Sequence, residues 1–372
     1  MAGLDEVLKK HRVVICAGSG GVGKTTTAAA LAVYAAISGR RTMVLTIDPA
    51  KRLANALGVR AIGGIDSAVV VEDIPRGTLS AMMLDQKGAW DELVERHAPS
   101  PEIRQRILEN RFYQHLSQSF AGSQEYMAIE QLAQLHAGGA YDLIVVDTPP
   151  TRHALDFLDA PQRIAAFLDR RVVRWFVKPY FSAGWATLRV VNRAAGSLLR
   201  RLEEATGVSA LMEISDFFTS MSGLFEGFEQ RVQAVDKLLR ARTTAFVLVA
   251  TPEEQVLTEA EDFSRQLAAM GIPLRAVVFN RVQQESAADQ RHLDDEWLRG
   301  LVTRAVKHRA RAARLVDNFL RYETQARGDH LRMEAFRRPL PARPAIAVVP
   351  NFDEDLHDLD GLRRMLPHLM AA

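Results

Sequence analysis

Cysteine is nearly absent from this chain of 372 residues: Cys16 is the only one. A lone thiol excludes an intramolecular disulfide and any zinc site built from several cysteines of one chain. Cys16 closes the apolar run VVIC, a setting in which cysteine serves as a small buried hydrophobe. Long apolar runs are missing as well. No uncharged apolar stretch reaches about 20 residues, so no transmembrane segment is expected. The N-terminal MAGLDEVLKKH has no apolar signal core, which predicts a cytoplasmic protein. Charge of one sign is not in excess: 47 Lys and Arg against 45 Asp and Glu leave +2. That balance argues against a nucleic-acid protein relying on an overall basic field, though it leaves room for a local patch. The ten histidines show no metal-ligand spacing such as H-E-x-x-H. Internal repeats and low-complexity linkers are also lacking. What remains is 48% hydrophobic and 25% charged, an ordinary globular composition.

Against this plain background one stretch stands out. Val13 to Thr27 reads VVICAGSGGVGKTTT: an apolar strand, a glycine-rich turn, and the start of an alanine-rich helix. Gly18 to Thr25 fits G-x-x-x-x-G-K-[ST] in full. Glycines let such a loop curl around a phosphate chain, and its N–H groups and the following helix N-terminus favour the negative charge. Gly20, Gly21, Val22, Gly23, Lys24, Thr25 and Thr26 are therefore the candidate phosphate-binding residues. Lys24 is placed to reach the β and γ phosphates, and Thr25 to put a hydroxyl on Mg²⁺.

Short continuous apolar runs recur along the chain. They predict strands at Val13–Cys16, Thr42–Ile47, Leu79–Leu84, Tyr141–Val146, Thr244–Ala250, Arg275–Phe279 and Ala345–Val349. Helical spacing of apolar residues fills about 88–137, with a break at Pro99 and Pro101, and again about 153–240. A charged, helix-rich region covers 286–340, with an amphipathic helix expected around Trp297 to Tyr322. Apolar strands separated by helices make a mostly parallel sheet covered on both faces, an α/β doubly wound fold of P-loop NTPase type. The expectation is a single domain over residues 1–372, its helical insertions forming a helical subdomain. Ligands in such folds sit beyond the C-terminal strand ends.

Those ends carry carboxylates. Asp147 closes LIVVD, where it can hold a Mg²⁺-bound water or sense a γ-phosphate, or cap a helix or turn. Asp48 follows the second strand, where a carboxylate could position or deprotonate an attacking water. Taken alone, Asp-Pro after a strand is most often a plain turn.

GSGGVGKTT, TIDPAKRLANALG, VVDTPPTRHALDFL and VVFNRV, in that order, resemble the ArsA and guided-entry tail-anchored-protein-targeting ATPases, part of the deviant P-loop group that includes MinD. The resemblance covers nearly the whole chain. It implies that Asp48 is the first switch aspartate, which activates the hydrolytic water, and Asp147 the second. It also implies that Asn280 recognises adenine and that the loop from Pro350 to Asp353, with Phe352, closes over the base. ATP with Mg²⁺ is the implied ligand pair; no N-K-x-D guanine motif stands out. Lys24, Asp48 and Asp147 are the catalytic candidates, and Thr25, Asp48 and Asp147 the metal candidates, the carboxylates acting through water. One departure matters: the family's GKGGVGKT begins with a lysine that crosses a dimer to the partner's phosphates, and here that position is Ser19. A hydroxyl cannot supply that charge, so the expectation is either slower hydrolysis or a charge supplied by a paralogous partner or by another basic residue such as Arg52 or Arg152. The cysteines that bind arsenite or an interfacial zinc in the family are absent as well.

The second insertion is rich in bulky apolar residues. Leu211, Met212, Ile214, Phe217, Phe218, Met221, Leu224, Phe225 and Phe228 recur at helical spacing. They suit a groove for a helical client, and equally helices packed on each other or on a dimer mate. A third option is membrane-surface contact by the Trp- and Arg-rich segment Arg170 to Arg201. The resemblance implies a dimeric ATP-driven switch, homodimer or heterodimer with a paralogue, whose helical subdomain binds a client protein or membrane segment. Two other uses stay open: energy coupling for an anion or metalloid transporter, and a weakly catalytic ATP-binding regulatory partner.

Overall fold

Eight short runs rich in Val, Ile, Leu, Ala and Met assemble into one sheet in the computed structural model. The model describes residues 3–47, 52–59, 62, 68–119, 123–149, 213–214, 216–217, 219–220, 225–285, 295–306, 308–340 and 343–371. The strands are β1 Val13–Ala17, β2 Arg41–Thr46, β3 Val69–Val71, β4 Thr78–Met83, β5 Leu143–Asp147, β6 Thr244–Ala250, β7 Leu274–Val282 and β8 Ala345–Pro350. Their order is β3-β4-β2-β5-β1-β6-β7-β8. All neighbours are parallel except β3, which runs antiparallel to β4 at the edge. The sheet is thus doubly wound about β1, as expected from the continuous apolar runs. The three-residue β3 was not anticipated; its pattern of one buried residue in three offers no periodicity to read.

Alternate side chains along each strand enter opposite cores. Val14 and Cys16 of β1, with Val44, Val145 and Val247, face α1 Leu4–Lys10, α2 Lys24–Ile37, α3 Arg52–Ala56 and the C-terminal α12 Leu359–Met370. Val13 and Ile15, with Leu45, Ile144 and Leu248, face the other layer. That layer contains α4 Gln86–His97, α5 Pro101–Glu109, α6 Arg111–Ser119, α7 Ser123–Gly138, α8 Phe225–Arg240, α9 Glu254–Ala269 and α11 Arg309–Arg337, α10 being Asp295–Ala305. Strands buried on both faces explain why their sequences show no polar alternation.

Local signals set the helix limits. Asp85, just after the strand expected at Leu79–Leu84, is the N-cap of α4, its side chain accepting from Gly88 N. Ser100 caps α5 with Pro101 in its first turn. Asn110 ends α5, and its Oδ1 accepts from Tyr113 N in the first turn of α6. The region expected as helical from about 88 to 137 therefore holds four helices. The single helix expected around Trp297 to Tyr322 is two, separated at residues 306–308, and α11 continues to Arg337.

Most of the second insertion lies outside the described residues, including Arg152, His153 and the Arg170 to Arg201 segment. So do the side chains of Phe218, Met221, Phe225 and Phe228. Phe217 is described and is 1% exposed. It meets Phe112 edge-on with ring centroids 5.2 Å apart and stacks on Tyr113 at 6.3 Å. Of the residues proposed to line a client groove, Phe217 is thus a core residue of the α6 layer instead. Among the described residues no helix is long and apolar enough to cross a membrane.

Cys16 is fully buried, and its thiol is pushed well above the ordinary range, mainly by burial and secondarily by the Asp147 charge. A thiol-reactive chromophore should therefore leave the native protein unmodified and label one site per chain only after urea unfolding. Stoichiometric labelling of the folded protein would show that β1 opens.

Candidate functional site

The phosphate loop is held by close backbone approach. Gly18 follows β1 with φ +153, and a Cβ there would lie 2.1 Å from the carbonyl oxygen of Val249 in β6. Gly23 has φ +91 and is the N-cap of α2. A Cβ on it would lie 2.2 Å from Asn280 Nδ2. Between them the loop turns so tightly that Lys24 Nζ donates to Ser19 O at 2.7 Å. Lys24 is only 6% exposed, so its ammonium sits over the loop, away from bulk water. The alanine-rich α2 then buries its small side chains against the sheet, which lets its N-terminus stand close to the strand ends.

Asp147 lies at the centre. Its register partners are Cys16 on β1 and Thr46 on β2. It is fully buried, and its Oδ2 accepts from Thr25 Oγ1 at 2.7 Å and from Thr46 Oγ1 at 2.9 Å. The next residue, Thr148, donates through Oγ1 to Cys16 O at 2.8 Å. One hydroxyl and one carboxylate at the foot of the phosphate loop form an all-oxygen set, the kind Mg²⁺ prefers. The residues present therefore fit the ion that the loop motif implies.

Asn280 reaches the loop through an irregularity in β7. The ladder pairs Phe279 with Val348 and then Val282 with Pro350, so Asn280 and Arg281 bulge out of register. Arg281 takes φ +57, a left-handed conformation uncommon outside glycine. The bulge turns Asn280 toward the loop, where its Nδ2 donates to Val22 O at 2.9 Å. That bond assigns the amide and leaves Oδ1 as an acceptor.

These elements enclose a cavity of about 400 Å³ whose walls include Gly21, Gly23, Lys24, Thr25, Thr26, Arg52, Asn280, Pro350 and Phe352. Eight of the sequence-predicted nucleotide-binding residues are therefore gathered here, together with Arg52, the basic candidate for the missing lysine charge. Gly20 is exposed and stands off the cavity, while Val22 is buried and contributes its carbonyl to Asn280. Asp147 lies beneath Thr25, behind the wall. Asp48 lies outside the described residues. Phe352 is fixed from behind, edge-on to His368 at 5.7 Å and with the Arg364 guanidinium 5.7 Å from its ring centre. Both partners belong to α12, so the C-terminal helix supports this wall.

Three contributors were not read from sequence. Thr46 and Thr148 are polar residues at the ends of apolar strands, a signal that was present. Glu259 was not foreseeable: Ser19 Oγ donates to its Oε2 at 2.5 Å across 240 residues of chain. The serine standing in the lysine position is thereby tied to α9 of its own chain.

The family model described as anion-transporting ATPase matches residues 11–299. ATPase GET3 of Malassezia globosa is 29% identical over 275 residues, 74% of this chain and 73% of that protein. The putative arsenical pump-driving ATPase 1 of Aquifex aeolicus is 24% identical over 298 residues, 77% of this chain and 68% of its own length. The uncharacterized protein SCO2128 of Streptomyces coelicolor is 28% identical over 308 residues, 80% and 72% respectively.

Two glycine substitutions should separate loop strain from site distortion. Gly21→Ala meets nothing within 4 Å but keeps φ +77, whereas Gly23→Ala must also displace Asn280. Calorimetric titration with a non-hydrolysable ATP analogue should show roughly tenfold weaker binding for Gly21→Ala and a loss of at least about a hundredfold for Gly23→Ala. Equal losses would remove Asn280 from the argument.

Proposed function

The chain belongs to the ArsA family of anion-transporting ATPases and is an ATP-hydrolysing enzyme; we propose that it works as a dimeric, Mg²⁺-dependent switch moving its helical subdomain. The observation that carries this reading is the bond from Thr25 to Asp147. Thr25 opens α2 behind the phosphate loop. Asp147 ends the strand from which the chain departs toward the second insertion. A change at the phosphates is therefore one hydrogen bond away from the segment leading into that insertion.

The roles follow from position. Lys24 neutralises charge on the β and γ phosphates, and the loop amides with the α2 N-terminus hold the rest. Thr25, with Asp147 and Asp48 through water, would hold Mg²⁺, which when bound spreads the negative charge of the β and γ oxygens. Asp48 orients the attacking water and takes its proton. Asn280 presents Oδ1, an acceptor that suits the 6-amino group of adenine and repels the 6-oxo group of guanine. Pro350 and Phe352 flank the base. Hydrolysis changes what Asp147 and Asp48 face and so releases the segments that follow them.

The helical subdomain, in this reading, takes up and releases a hydrophobic helical client or membrane segment. Its support is the Phe-rich composition of the second insertion, with Met212 and Met221 among the aromatics, since Met side chains repack around varied partners. Energy coupling to an anion transporter is the reading that the family description and the Aquifex aeolicus relative favour. Against capture of a metalloid by thiols stands the single cysteine, Cys16, fully buried with its pKa raised. A second reading, a regulatory partner with little turnover of its own, is favoured by the Ser19 to Glu259 bond, which occupies the position of the family's dimer-crossing lysine.

Purified chain should hydrolyse ATP in preference to GTP. Lys24→Ala and Asp48→Asn should each lower kcat at least about a hundredfold. Arsenite and antimonite should leave the rate unchanged, and an apolar helical peptide should bind in a nucleotide-dependent way. Turnover that appears only on adding a paralogous chain would establish the regulatory reading. Stimulation by the metalloid would establish the transporter one.

A further inference from the structure

A second cavity system lies at the opposite edge of the sheet from the phosphate loop. β7 begins at Leu274 and β8 at Ala345, so their first residues sit far from the C-terminal strand ends. There an apolar cavity of about 260 Å³ is walled by Ala268, Ile272, Pro273, Leu274 and Pro344. Leu274 and Pro344 are shared with an adjoining cavity of about 190 Å³, whose other walls include Lys10, Arg275 and Arg343. The one is hydrocarbon; the other is basic.

The charge there is built into the strand. Phe246 pairs with Leu274 and Val247 with Ala276, so Arg275 is the extra residue of a β-bulge. A bulge takes a side chain out of the strand's alternation and re-aims it. Without it, this position in an apolar strand would carry its guanidinium into a core. The Arg275 Nε is buried with no hydrogen-bond partner. Such an atom loses its water without compensation unless an acceptor arrives. The acid in this cavity wall is Glu6, and its carboxylate is held by Lys10 at 2.8 Å. His11 Nδ1 lies 2.7 Å from Val7 O, and burial, reinforced by the Arg275 charge, pushes its pKa down. Arg275 and exposed Arg343 are left as two positive groups beside an apolar pocket.

We propose that this paired cavity binds a small amphiphilic anion, a single aliphatic tail in the apolar part and a carboxylate or phosphate head on Arg275 and Arg343. Guanidinium groups pair with such heads in charge-assisted hydrogen bonds, and the buried Nε gains its acceptor. The apolar volume falls just below that of ordinary small-molecule sites, which suits one medium-length chain and not a two-tailed lipid body. The head could belong to a free amphiphile or to a lipid projecting one tail from a membrane. Both present the same chemistry. The site is remote from the nucleotide pocket and does not depend on the switch reading.

Decanoate serves as the probe, titrated calorimetrically into the full chain. The wild type should bind one decanoate per chain. The double variant Arg275→Gln with Arg343→Gln should bind at least about tenfold more weakly, as should Ala268→Phe, which fills the apolar part. Decanol, lacking the charge, and acetate, lacking the tail, should each bind at least about tenfold more weakly than decanoate. Unchanged ATP turnover in all variants would verify that they fold. Flotation with phosphatidylglycerol vesicles distinguishes the sources. Vesicle binding lost in the double variant supports a lipid head, and decanoate binding without vesicle binding supports a free amphiphile. No decanoate binding, or binding that these variants leave intact, or decanol and acetate binding as well as decanoate, would overturn the proposal.

Discussion

A buried carboxylate organises this molecule. Asp147 is removed from water at the junction of three parallel strands, and a charge so placed must be met by donors. It takes one from Thr25, just behind the phosphate loop, and one from Thr46 at the end of β2. Neither would reach it if β1, β2 and β5 slipped by one residue, because the side chains of one whole strand would exchange faces. The register of the sheet centre and the geometry of the site are therefore the same constraint. Thr148 extends it by tying the chain beyond β5 back to β1.

Around that point the structure alternates between rigidity and irregularity. The strands pair in regular register through the core and depart from it at Asn280 and Arg281 and again at Arg275. Gly18 permits contact with β6 that no side chain would allow. The bulge at Asn280 and Arg281 spends ladder hydrogen bonds to bring an amide against the loop. Earlier in the same strand, a bulge at Arg275 brings a guanidinium to the opposite edge. One strand thus serves two ends of the sheet, and in both cases the departure from regular pairing aims a polar group that alternation would have misplaced.

Ser19 changes meaning in its surroundings. In the sequence it is a missing charge. In the fold it is a donor that anchors the loop to α9 through Glu259, a contact within the chain where the family's lysine makes one between chains. The helical layer shows a similar shift. Phe217 belongs by periodicity to an apolar stripe that suits a client groove and helix packing equally, and its ring packs between Phe112 and Tyr113. Apolar periodicity marks a face that is buried; it does not say against what.

Much of this was legible from residues alone. The apolar runs at Val13, Thr244 and Leu143 could only be strands covered on both faces, and Gly18 to Thr25 could hardly be anything but a phosphate loop, because each residue type there meets a local steric or charge requirement. What the sequence by itself determined were these local properties: strand interiors, the loop, the helix break at Pro99 and Pro101, and a carboxylate at a strand end. What only the tertiary structure decided were relations across distance. Thr46 beneath Thr25, Phe352 propped by α12, Ser19 bound to Glu259, and Arg275 beside an apolar pocket each join segments far apart in the chain. Local preference is written in neighbouring residues, whereas register, bulges and long-range hydrogen bonds emerge only when the whole sheet selects one pairing out of many.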